Sequence, residues 1–217
     1  MIDDKSEAIL FALKGLANEH LTKSIKIDDT PINFVLMLRD LWVTLDSSLS
    51  FNQHLMNTCR SAFLELRRIG LICKYLIVDA SKTIVCSLVL SRLDYCNSIL
   101  SGSPKCLIQK LQRVQNTAAW ITLRMPRTGH TTPLLRMFYW LPIPSRIGYK
   151  IDSLCHTALN TAYPKYLSEL LNVYTPARPL HSSLDPNILN IATARTKSYG
   201  QQAFAYQGPI NWSAWQH

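Results

Sequence analysis

"KCLIQKLQRVQNTAAWITLR", residues 105–124, decides how the middle of this chain folds. Leu107, Leu111, Val114, Ala118, Ile121 and Met125 recur at steps of four and three, which sets apolar side chains along one side of a helix. In front, Ser103 and Pro104 read as a hydroxyl N-cap followed by a proline at the first helical position. Behind, Pro126 and Gly129 read as the stop. A second series at the same steps, Lys110, Arg113, Thr117, Trp120 and Arg124, falls on another face. At about 1.5 Å rise per residue it spreads its charges over roughly 20 Å. The spacing predicts an amphipathic helix, packed on one side and cationic on the other.

Charge around this helix is one-sided. Residues 1–50 carry 5 basic and 8 acidic side chains, so the 18 basic and 6 acidic residues that follow give residues 51–217 a net +12 within an overall +9. Between Asp94 and Asp152 there is no carboxylate, while Lys105, Lys110, Arg113, Arg124, Arg127, Arg136, Arg146 and Lys150 all fall there. A face kept only for solubility mixes signs. The pattern therefore favours a polyanionic partner. The plain alternative is a solvated surface, since Lys and Arg are good helix formers.

A chain of 217 residues that is 47% hydrophobic has enough apolar side chain for a core. Its six cysteines, at 59, 73, 86, 96, 106 and 155, form no C-x-x-C pair and sit mostly in apolar helical stretches. They read as reduced, buried side chains of an intracellular protein, nuclear or cytoplasmic, rather than as disulfides or zinc ligands. The most hydrophobic region, "IGLICKYLIVDASKTIVCSLVL", is cut by Lys74, Asp79 and Lys82, so no membrane span is expected.

The first fifty residues are short β-branched and aromatic runs, and "KIDDTPI" reads as a tight hairpin whose Asp28 and Asp29 bond their own backbone. Beyond Ser50, spaced from Gln53 as in a capping box, the pattern turns helical, with Leu55, Cys59, Ala62, Leu66 and Ile69 in one stripe. Asp79 is placed to cap a further helix through residue 100, striped by Val85, Val89, Leu93, Cys96 and Leu100. Within that helix Asp94 lacks a basic neighbour three or four positions away and should meet an arginine from another helix. Helices around 145–162 and through "PKYLSELL" follow. The fold expected is α+β, mostly α. A short hairpin or small sheet occupies 1–50, a helical bundle 51–172, and an irregular extended tail packed on the bundle 173–217.

Catalytic patterns are missing from the sequence: no glycine-rich phosphate loop, no G-x-S-x-G, no H-E-x-x-H. Cys155 and His156 are adjacent, and neighbours on a helix point about 100° apart, so they cannot face one another as nucleophile and base. Asp3 and Asp4 read as a polar turn before a strand. No catalytic residue and no metal ligand is expected.

Four stretches, "RDLWVTLDSSLSFNQHLMNTCRSAFLELRRI", "VLSRLDYCNSILSGSPKCLIQKLQRVQNTAAW", "TPLLRMFYWLPIPSRIGYKI" and "SYGQQAFAY", are spread along the chain from Arg39 to Tyr206. In combination they closely resemble the reverse transcriptase (RNA-directed DNA polymerase) of LINE-type, non-LTR retrotransposons of the jockey-like branch. The resemblance implies a C-terminal fragment: the end of the palm over 1–50, a thumb-like helical domain, and the region beyond it. It implies that the Y-A-D-D box and its magnesium belong to an upstream palm, so this chain alone needs no cofactor and does not polymerise. What remains is a grip on the backbone of RNA or an RNA–DNA hybrid, with Lys105, Lys110, Arg113, Trp120, Arg124 and Arg127 as the binding face and Arg67 and Arg68 in support. Two departures stand out. Trp42 occupies the place of the family's usual glycine, and Trp120 that of a basic residue. The second reading is an inert or protein-interacting helical remnant of a mobile element, whose palm strands lack their sheet partners.

Overall fold

The β-branched and aromatic runs of the first fifty residues become strands. This is seen in a computed structural model that describes residues 6–11, 24–27, 30–126, 129–174, 188–196 and 199–214. Strands β1 (Ala8–Ile9), β2 (Ser24–Ile27) and β3 (Thr30–Val35) form a sheet in the order β1-β3-β2, with β1 parallel and β2 antiparallel to β3. Ile27 pairs with Thr30, so the expected hairpin is present. Asp3, Asp4, Asp28 and Asp29 lie outside the described residues. Strands β4 (Met37–Asp40) and β5 (Val43–Asp46) make a second antiparallel hairpin.

Leu41 and Trp42 make the turn between β4 and β5. Leu41 and Trp42 have φ of 42° and 68°, the pair of left-handed residues that a two-residue hairpin loop needs to match strand twist. Each non-glycine residue there costs about 1–2 kcal/mol. The Arg39 guanidinium lies 4.2 Å from the centre of the Trp42 ring and offsets part of that cost.

The turn after β5 is held by one carboxylate. Asp46 accepts hydrogen bonds from Ser48 Oγ (2.5 Å), Ser50 N (3.0 Å) and Oγ (2.9 Å), and Phe51 N (2.9 Å). Burial alone would raise its pKa, but these bonds outweigh it and hold the carboxyl below its ordinary value. The expected Ser50–Gln53 capping box is not formed: Gln53 Nε2 donates to Asn57 Oδ1 at 2.9 Å instead, because Asp46 already satisfies the turn. His54 is buried, its Nδ1 accepts from Thr44 N at 3.4 Å, and burial lowers its pKa.

Two compact units are present, Met1–Arg60 and Ser61–His217. Helix α1 (Asn52–Ile72) begins in the first and ends in the second, and its predicted stripe from Leu55 to Ile69 is buried throughout. A 3-10 turn (Cys73–Tyr75) leads to α2 (Val78–Val85), which runs on through a π turn (Cys86–Leu90) into α3 (Ser91–Asp94). The single helix expected through residue 100 is therefore interrupted. Cys96 takes a left-handed φ of 51°, and Asn97–Leu100 continues as a 3-10 turn. Val85, Val89, Leu93 and Leu100 stay buried, whereas Cys96 turns half outward. Asp79 sits in the first turn of α2 without capping it.

The remaining helices are α4 (Lys105–Leu123), α5 (Thr132–Met137), α6 (Ile143–Thr161), α7 (Lys165–Ser168) and α8 (Phe204–Ala214). Helix α6 buries Ile143, Ile147, Ile151, Cys155 and Ala158 and packs against α4, α7 and α8. Helix α8 corrects the expectation of an irregular tail. Gly208 and Pro209 are both buried inside the helix. A Cβ at position 208 would come within 3.0 Å of Cys155 Sγ and 3.4 Å of Leu171 Cδ2, so the glycine is what allows α8 to approach α6. The molecule is α+β and mostly α.

Candidate nucleic-acid interface

The sequence stretches with the most distinctive motifs meet in one hydrogen-bond network. Pro142 precedes α6 and cannot cap it, so the Ile143 N–H is given its acceptor by Gln112 Oε1 of α4, at 2.9 Å. Gln112 Nε2 donates to Gln115 Oε1 and to Asn116 Oδ1, both at 2.8 Å. Gln115, fully buried, donates to Leu141 O at 2.8 Å, and Arg146 Nε donates to the same carbonyl at 2.8 Å. Arg146 also pairs with Asp94, the arginine partner from a neighbouring helix that the sequence called for. Residues of L-D-Y-C-N-S, K-L-Q-x-V-Q-N and W-L-P-I thus hold α3, α4 and α6 together.

That network fixes how α4 turns. Leu107, Leu111, Val114, Gln115, Thr117, Ala118, Ala119 and Thr122 are buried, more than half of the helix circumference. The outward line is Lys105, Gln109, Arg113, Asn116, Trp120 and Arg124, at steps of four, four, three, four and four. It differs from the face expected. Thr117 is buried, its hydroxyl bonded to Arg113 O at 2.8 Å, and Lys110 is half-buried at the margin. Gln109 is exposed on this line, while Asn116 is half-buried like Lys110 and accepts from Gln112. Ile121 and Met125, expected in the packed stripe, are half-buried and exposed.

Both ends of α4 also differ from the reading of the sequence. Pro104 itself occupies the N-cap position, and Ser103 Oγ is buried without a partner. The helix stops at Arg124 in left-handed geometry (φ 55°), with Arg124 N bonded to Ile121 O (3.1 Å) and Met125 N to Trp120 O (3.0 Å). These paired bonds end a helix without help from Pro126.

The cations differ in what holds them. Among the described residues no ion pair joins Lys105, Arg113 or Arg67 to a carboxylate, and all three are exposed. Arg68 is paired with Glu65 at 3.2 Å, though at 74% exposure such a pair is worth about 0–1 kcal/mol. Arg124 donates to Leu76 O, which pins one edge of the guanidinium and leaves further N–H groups outward. Arg127 lies outside the described residues.

The sequence reading missed a groove beside this line. It is about 320 Å³ in volume and lies between the end of α1 and the end of α4, with Gly70, Cys73 and Lys74 on one side and Trp120, Ile121, Arg124 and Met125 on the other. No carboxylate lines it. Trp120 is half-buried, with its Nε1 out of contact with water and without an acceptor. The sequence singles out Lys74 only as a break in a hydrophobic run, because nothing there shows that residue 74 lies beside residue 120.

The cysteines divide: Cys59, Cys73 and Cys155 are buried as expected, but Cys106 is exposed. Burial, with Asp152 nearby, pushes the Cys155 thiol up to about 12, so it is a packing residue and not a nucleophile. Among the described residues no group of three or more His, Cys, Asp or Glu side chains is placed to hold a metal ion, and no helix is long and apolar enough to cross a membrane. Compared with protein-family models, curated proteins and solved structures, the chain gives no match.

Proposed function

We propose that this chain is a non-catalytic, thumb-like C-terminal part of a LINE-type retrotransposon reverse transcriptase that grips the backbone of RNA or an RNA–DNA hybrid. The observation that carries the reading is the outward line of α4: Lys105, Arg113 and Arg124 interleaved with two amides and an indole, without a carboxylate, over about 28 Å of helix. Cations place phosphates, amides contact phosphate and sugar oxygens, and an indole offers a stacking surface. Such a surface holds a strand without reading its sequence.

The test is a binding titration of single-stranded RNA and an RNA–DNA hybrid against salt. About three phosphate contacts give a slope of log affinity against log salt of roughly −2 to −3. Lys105→Ala with Arg113→Ala should flatten that slope by about 1.5. A salt-independent affinity, or a slope unchanged in the double variant, overturns the assignment.

One observation favours a second reading as a protein-interacting piece. Leu71 (70%), Ile72 (47%), Tyr75 (78%), Ile77 (73%) and Val78 (43%) expose a nearly continuous apolar run between α1 and α2. Concentration-dependent association, abolished by Leu71→Lys with Ile77→Lys, is the signature of that reading.

A further inference from the structure

The groove between α1 and α4 shares Trp120 and Arg124 with the backbone grip and adds Lys74 and an apolar wall to them. Its lining is mostly apolar, with Trp120, Ile121, Met125 and Cys73, and it carries two cations, Lys74 and Arg124. The volume of about 320 Å³ is at the small end for ligand sites, which run from roughly 300 to 1,000 Å³. It admits one flat ring and not an extended chain.

Charge narrows the ligand further. The C-terminal ends of α1 and α4 both border the groove, each worth roughly −0.5 charge. Two side-chain cations set against them leave about one positive charge, which matches a single phosphodiester rather than a di- or triphosphate. Gly70 keeps one wall low. A Cβ there would meet nothing nearer than Ile121 Cδ1 at 4.0 Å, so the space above it is open because the residue has no side chain.

We infer that this groove takes one unpaired nucleotide from the bound strand, its base against Trp120 and Ile121 and its phosphate between Lys74 and Arg124. This rests on the backbone grip proposed above, and it adds that a strand with a free base binds more tightly than its charge alone allows. Paired bases are held in their stack and gain nothing from the groove.

The experiment compares two labelled strands of equal length and charge, an oligouridylate and its fully abasic ribose counterpart, by fluorescence anisotropy with the full chain. Base stacking on an aromatic side chain predicts a preference of about 5- to 150-fold for the base-bearing strand. Gly70→Leu fills the groove, favours the helix intrinsically, and should bring both strands to the abasic affinity with the salt slope kept. Trp120→Leu should also bring both strands to the abasic affinity, with circular dichroism verifying the fold of each variant. Equal affinity for the two strands in the parent protein, with the salt slope intact, overturns the groove assignment and leaves the α4 line standing. A preference that survives both variants places the stacking elsewhere and also overturns it. Absence of binding by either strand overturns both readings.

Discussion

Gln112 and Gln115 give a test that burial alone would order the wrong way. Gln115 is fully buried and Gln112 only partly so, yet the bonding predicts that Gln112 is the costlier residue to lose. Replace Gln115 by methionine, close in volume, and each former partner keeps another: Leu141 O retains Arg146 Nε, and Gln112 Nε2 retains Asn116 Oδ1. The loss is two net hydrogen bonds, about 1–3 kcal/mol, reduced by the added apolar burial. Replace Gln112 by methionine and two buried groups are stranded, the Ile143 N–H and Gln115 Oε1. Each costs about 1–3 kcal/mol, so the total is about 2–6 kcal/mol. Urea unfolding should place Gln112→Met well below Gln115→Met in midpoint. Hydrogen exchange should show the Ile143 amide losing protection in Gln112→Met alone. If Gln115→Met is the more damaging, or the Ile143 amide is equally protected in both, the capping of α6 by α4 is refuted.

Trp42→Gly with Leu41→Asn supplies the residues that a left-handed two-residue turn prefers. Relief of the backbone cost, less the Arg39 contact and the added unfolded-state entropy, leaves a gain of about 1 kcal/mol, readable as slower exchange of the β4 and β5 amides. Asp46→Ala removes the acceptor from four donors and should destabilise the first unit by about 2–3 kcal/mol in thermal unfolding. Acid should act in two stages on the same unit. The lowered pKa of His54 makes protonation favour the unfolded chain as pH falls below 6.5, and the stability held by Asp46 is present above 3.8 and lost as pH falls through its lower folded value. An unfolding midpoint flat between pH 7 and pH 3 contradicts both. With a thiol reagent at pH 8, Cys106 should label in the native protein while Cys155, with about one part in ten thousand as thiolate, reacts only on unfolding.

Periodicity carried far in this chain because burial on one side of a helix leaves a repeat in the sequence. The stripe of α1 and the inward residues of α4 from Leu107 to Ala118 were legible for that reason, as was the β2–β3 hairpin from its turn residues. So was the need of Asp94 for an arginine, since a carboxylate without a basic residue on its own helix must look elsewhere. Capping was less legible. Ser50, Ser103 and Asp79 all have the right side chains for caps, but the turns they flank are closed by Asp46, by backbone bonds, or not at all. A cap depends on local φ and ψ, which residue type only biases.

The sequence by itself determined the fold class, the chain's uneven charge and the carboxylate-free interval from Asp94 to Asp152, because these follow from residue type and spacing. Only the tertiary structure decided which cations of α4 face outward, that Thr117 is buried while Gln109 is exposed among them, and that Lys74 shares a groove with Trp120. The reason is rotation. A helix with apolar, amide and basic residues interleaved can turn several ways, and its actual setting is fixed by the bond Gln112 accepts from Ile143 N–H, 31 positions away, and the bond Gln115 donates to Leu141 O, 26 positions away.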